Sequence, residues 1–166
     1  MSEQKRLVVV CGLPGTGKTT VARELTERAG GVLLRTDVVR KDLFLEPEYT
    51  DEEVQATYDE LFDRTRDALE RKGVAVLDGT FRRESLRNRA RRVARETDAT
   101  FELVRVTCSE EVVRERINQR ENDESDADVS VHQLLQSEFE PPAIAHQTVD
   151  NSGSVAETRR QIAELW

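Results

Sequence analysis

Leu7-Val8-Val9-Val10-Cys11-Gly12-Leu13-Pro14-Gly15-Thr16-Gly17-Lys18-Thr19-Thr20 is the stretch on which the fold turns. Its first five residues are apolar and uninterrupted, rich in β-branched valine, as a parallel strand buried on both faces should be. Gly12 to Thr19 then match G-x-x-x-x-G-K-[ST] in full. Glycines at these positions let backbone N–H groups curl around phosphate oxygens. Lys18 supplies a mobile charge for the β- and γ-phosphates, the Thr19 hydroxyl is placed to hold Mg2+, and the helix that starts here adds its positive end. Gly12, Leu13, Pro14, Gly15, Thr16, Gly17, Lys18, Thr19 and Thr20 are therefore expected to bind ATP or GTP together with Mg2+.

Beyond this stretch, short apolar runs alternate with helical patterns. Val32–Leu34, Val74–Leu77 and Phe101–Thr107 read as further strands, with a weaker one at Gln147–Val149. Thr50 followed by Glu53 is a capping-box signal and Gly73 a helix stop, so Thr50–Lys72 is expected as one long helix. Arg83–Arg95, Glu110–Arg120, Val131–Phe139 and Val155–Leu165 are the other helical candidates. Alternating strands and helices imply an α/β fold with a mostly parallel sheet.

Two carboxylates stand where strands end. Thr36-Asp37-Val38-Val39-Arg40 follows the second strand. Thr36 could simply cap the next helix, with Asp37 favoured by the dipole in the first turn. Alternatively, loops at the carboxyl ends of parallel strands line one crevice, so that Asp37 faces the phosphates and takes a proton from an attacking hydroxyl. Arg40 would share its face and pair with an anionic acceptor. Asp78 closes the third strand just before Gly79, a Walker-B arrangement that reaches Mg2+ directly or through water, against the plainer reading of a surface Asp-Gly turn.

Arg116 and Arg120 lie four apart on the helix that leads into the acidic stretch 121–130. Such a face can close over a nucleotide, one guanidinium stacking on the base and the other neutralising the transferring phosphate. An ordinary salt-laced helix has the same spacing. Arg82 and Arg83 follow the Asp78 turn and could line the acceptor site. The remaining arginines of 82–95 occupy several helix faces, which favours a solvated helix over a track for a polynucleotide. Gly153 lies in the loop after the last strand, which could pass beneath the base.

Taken together, G-L-P-G-T-G-K-T-T, T-D-V-V-R-K, V-L-D-G-T-F-R-R, R-I-N-Q-R and the pair S-D-A and F-E-P-P (Ser125–Ala127, Phe139–Pro142) resemble the AAA_33 group of P-loop kinases. That group is related to gluconate kinase, the zeta toxins and the kinase domain of polynucleotide kinase. The resemblance runs along essentially the whole chain. It implies transfer of the ATP γ-phosphoryl to a hydroxyl, with Asp37 as general base, Arg40 on an acceptor phosphate and Arg116 and Arg120 as the lid pair. With right-handed crossovers and the apolar Leu7–Cys11 strand, it also implies a five-stranded parallel sheet in the order 2-3-1-4-5. Residues 1–166 are expected as one kinase domain whose helical lid covers about 114–140. The chain departs from adenylate kinases after the third strand, where Gly79-Thr80-Phe81-Arg82-Arg83 stands, so a monophosphate pocket does not follow.

Composition narrows the partners. The chain has 166 residues, 35% charged, with a net charge of −8, which opposes loose binding to nucleic acid or anionic membranes. No apolar run approaches a membrane span, and the N-terminus does not read as a secretory signal. Cys11 and Cys108 are expected as reduced core thiols in a cytoplasmic protein. A small-molecule hydroxyl acceptor is the first expectation and a nucleic-acid 5′ end the second; nothing in the sequence sets the oligomeric state. The competing function is a nucleotide-dependent ATPase or switch, for which no water-positioning residue is evident, or a zeta-toxin-like sugar-nucleotide kinase.

Overall fold

The computed structural model describes residues 4–13, 15–119, 136 and 138–165. In chain order the elements are β1 (Lys5–Cys11), α1 (Lys18–Ala29), β2 (Val32–Arg35), α2 (Thr36–Leu43), α3 (Asp51–Lys72), β3 (Val74–Asp78), α4 (Glu84–Glu96), β4 (Ala99–Thr107), α5 (Glu110–Gln119), β5 (Gln147–Asp150) and α6 (Val155–Leu165). The five strands form one parallel sheet in the order β2-β3-β1-β4-β5, as expected. The central strand pairs on both sides, Val9 with Leu77 and with Leu103.

Alternation along β1 sends its side chains into two separate cores. Leu7, Val9 and Cys11 pack with Tyr58, Leu61, Phe62 and Leu69 of α3 and Ala90 and Val93 of α4. Val8 and Val10 pack with Val21, Ala22 and Leu25 of α1 and Ile162 of α6. Helices thus cover both faces, which is why β1 could afford no polar residue from Leu7 to Cys11.

The ends of α3 follow the local chemistry read from the sequence. Thr50 takes the N-cap position and its hydroxyl accepts from the Glu53 N–H at 3.2 Å; Gly73 caps the other end in a left-handed conformation. Thr50→Ala should therefore lower stability by about 1 kcal/mol. Urea denaturation checks this, and an unchanged midpoint would contradict the cap.

One capping expectation is corrected. Thr36 does not precede α2 but is its first residue, and the N-cap is Arg35, without a side-chain capping bond. The strand runs straight into the helix with no loop residue between them, so Thr36 is drawn inside and buried. Its methyl lies against Gly79, where a Cβ would come within 2.6 Å of it. Most of the helix expected over Val131–Phe139 (131–135 and 137) lies outside the described residues, and Phe139 itself is non-helical and buried. Arg120, Pro14 and the acidic stretch 121–130 lie outside the described residues.

Candidate active site

The carboxyl ends of β1, β2 and β3 and the start of α1 meet at one place. The Thr19 hydroxyl donates to Asp78 Oδ2 at 2.7 Å, linking the phosphate loop to the end of β3. Asp78 is 3% exposed, and its other oxygen, Oδ1, is buried with no partner among the described residues. An orphan carboxylate oxygen beside a hydroxyl is a hard oxygen donor pair. It fits Mg2+, which takes few protein ligands and keeps waters and phosphate oxygens for the rest. No cluster of three or more His, Cys, Asp or Glu that could hold a metal occurs among the described residues.

Arg35, which sequence reasoning passed over, also reaches this point. Its Nε donates to Asp78 Oδ2 at 3.2 Å and its Nη2 lies 3.5 Å from the Thr19 hydroxyl. The signal was available: the order 2-3-1 sets the ends of β2 and β3 side by side, and Arg35 and Asp78 are register partners. Lys18, at the start of α1, is half-buried.

The rear of the loop is held from the far edge of the sheet. Arg116 of α5 donates from Nη2 to the Asn151 carbonyl at 2.6 Å and from Nη1 to the Thr16 carbonyl at 3.4 Å. Asn151 donates its amide to the same Thr16 carbonyl at 2.8 Å and accepts from the Thr158 hydroxyl at 2.6 Å. Gly17 sits in a left-handed conformation directly under this amide, which a Cβ would strike. In the loop after β5 it is thus buried Asn151 that touches the phosphate loop. Gly153 is exposed beside Glu157.

Asp37 and Arg40 meet each other instead of the Asp78 cluster. Arg40 Nη1 donates to Asp37 Oδ1 at 3.2 Å, with Asp37 61% exposed at the start of α2 and Arg40 largely buried beneath it. The Arg40 guanidinium stacks 4.9 Å from the Tyr49 ring centre, and its Nε has no acceptor among the described residues. Arg82 pairs with Glu138 at 2.5 Å, while Arg83 is exposed; both border a hollow of about 160 Å3 with Asp51 and Gln55.

The arginine run holds a surprise. Arg87, expected on a solvated helix, is fully buried. It donates to the Phe81 carbonyl at 3.0 Å, to Glu84 Oε2 at 2.8 Å and to the Glu140 carbonyl at 2.5 Å. The Phe139 ring meets two guanidinium groups, Arg87 at 5.4 Å and Arg105 at 5.0 Å. These contacts bind 139–140 to the turn after β3, where Phe81 has φ 43° and its N–H donates to the Tyr58 hydroxyl at 3.1 Å.

Residues 7–142 match the AAA_33 family model, described as an AAA domain. The chain belongs to the AAA_33 family. Among solved structures it is similar to a gluconokinase from Sinorhizobium meliloti 1021, at 22% identity and TM-score 0.72 over 99% of this chain and 95% of that one. It is also similar to a sugar kinase from Janibacter sp. HTCC2649, at 18% identity and TM-score 0.73 over 96% and 93%. A third, APE1195, is 25% identical with TM-score 0.75 over 99% and 96%. The fold of this AAA_33 chain is thus that of the P-loop kinases. An uncharacterized protein of Mycobacterium tuberculosis is 30% identical over 97% of this chain. The chain spans about a third of the length of the curated relatives it matches, 34% in each case.

A cavity of about 350 Å3 opens beside the phosphate loop of this AAA_33 chain, lined by Gly12, Leu13 and Thr16 of the loop and by Arg105, Thr107 and Phe139. Cys108 also lines it, half-buried rather than in the core, because β4 ends at Thr107 and the chain turns outward. Cys11 is buried, and burial pushes its thiol up to about 11, against the opposing pull of Arg87 and Arg105. Such a thiol stays protonated at neutral pH and is no nucleophile. No helix among the described residues is long and apolar enough to cross a membrane.

Proposed function

We propose that residues 1–166 form one kinase domain that transfers the γ-phosphoryl group of ATP to a hydroxyl of a small molecule. The observation that carries this reading is the Thr19–Asp78 contact at the lip of the glycine loop, with Asp78 Oδ1 left unpartnered. In this reading Thr19 and Asp78 hold Mg2+, which when bound neutralises charge on the phosphates. Gly12 to Thr20 wrap the phosphates and Lys18 pairs with their outer oxygens. Arg116, already laid on the Thr16 carbonyl, lies over the phosphate loop near the nucleotide, and Arg120, four residues on in the sequence, serves as the second lid arginine.

Asp37 is the general base and Arg40 orients it and meets an anionic group on the acceptor. Arg82 and Arg83 border the acceptor's approach, and Gly153 the base's. Transfer then needs little more than position and charge: the hydroxyl lies in line with the γ-phosphorus, and Asp37 takes its proton. Three features support a small acceptor over a nucleic-acid end. The cavity beside the loop has the volume of a small-ligand site. The net charge is −8. Solved proteins with this fold include a gluconokinase and a sugar kinase.

A screen of hydroxyl acceptors with γ-labelled ATP tests the reading, and label appearing only in free phosphate would point to an ATPase instead. Lys18→Ala should bind Mg·ADP about 10- to 150-fold more weakly, the worth of one charge-assisted contact to phosphate. Calorimetry giving equal affinities would remove the loop from this account.

A further inference from the structure

Asp78 already has a cation before any metal arrives. Arg35 ends β2 and Asp78 ends β3, and parallel register sets the two side by side. The Arg35 guanidinium spans the pair assigned above to the metal, with Nε 3.2 Å from Asp78 Oδ2 and Nη2 3.5 Å from the Thr19 hydroxyl. The two partners differ in freedom. The Asp78 side chain is 3% exposed and held by the Thr19 hydroxyl, whereas that of Arg35 is 28% exposed. Withdrawing Arg35 would leave the buried Asp78 carboxylate unpaired, a cost that the incoming metal offsets by taking its place.

We propose that Arg35 is the resident counter-ion of the metal site. It holds Asp78 and Thr19 while no metal is bound, and gives them up for the phosphates when metal and nucleotide enter together. This rests on the reading of Thr19 and Asp78 as the metal-holding pair. Metal alone meets a like charge a few ångströms away, which opposes its binding. Metal accompanied by a nucleotide brings net negative charge, so the freed guanidinium gains an anion in place of the one it yields. Metal and nucleotide therefore bind with positive coupling, and Arg35 is its source.

Mn2+ is the probe, its free concentration read by electron paramagnetic resonance on the full chain with and without ADP. Arg35→Gln should bind Mn2+ alone at least about tenfold more tightly than wild type, because a nearby like charge is gone. The gain in Mn2+ affinity produced by ADP should shrink by a similar factor. Arg35→Lys keeps the charge and should stay close to wild type, which separates charge from side-chain shape. Asp78→Asn should lose Mn2+ binding in the absence of nucleotide. If Asp78→Asn binds Mn2+ as wild type does, the metal reading itself fails. If it loses Mn2+ while folded Arg35→Gln binds Mn2+ no tighter than wild type, the counter-ion proposal alone is overturned.

Discussion

Asp37→Asn should slow phosphoryl transfer by about 10²–10⁴-fold while leaving Mg·ADP affinity near wild type, since general-base help is worth about that much. The surroundings of Asp37 make the test clean. Asp37 is exposed at the start of α2, makes its one described bond to Arg40, and lies outside the Thr19–Asp78 contact. Asparagine keeps the shape and can still accept from Arg40, so the fold loses little. Because phosphoryl transition states are loose, the hydroxyl proton leaves late and the loss should sit toward the low end of that range. The measurement is turnover of the acceptor found in the screen, across a magnesium titration. Recovery at high magnesium would make Asp37 a metal residue. Undiminished turnover at low magnesium would move the base to Asp78.

Arg87→Met should destabilise the protein by about 2–4 kcal/mol, since a fully buried donor is lost to two carbonyls and a partly exposed carboxylate. Methionine fills much of the same volume but satisfies none of the acceptors, leaving the Phe81 and Glu140 carbonyls and the Glu84 carboxylate without their donor. Arg87→Lys should recover only part, because one ammonium on a flexible stem cannot serve three acceptors set around a planar fork. Urea denaturation reads the loss, and a cost below about 1 kcal/mol would show that water replaces the guanidinium easily. The same substitution removes one of the ties between 138–140 and the turn after β3. Arg82 joins Glu138 across that seam, and the Glu140 N–H donates to the Arg82 carbonyl at 2.8 Å.

The sequence by itself determined what local physics decides. Five apolar, valine-rich residues before a glycine loop read as a strand buried on both faces, and Thr50 with Glu53 and Gly73 mark the ends of α3 through bonds between near neighbours. The strand order followed from crossover handedness and the resemblance, and with it came the meeting of Thr19 and Asp78.

Three residues took their places from the tertiary structure: Arg35, which the strand order sets beside Asp78, and Asn151 and Arg87, which nothing local signals. Each is of a type that is usually solvated. Asn151 meets Thr16 across 135 residues of chain, and Arg35 meets Asp78 across 43. Arg87 is buried because the Phe139–Glu140 segment folds back over it, 53 residues away. No periodicity within a helix encodes such contacts. A polar side chain is drawn inside when the packed fold presents carbonyls and carboxylates that would otherwise be buried without a donor, and those groups come together only once the sheet and its crossovers have formed.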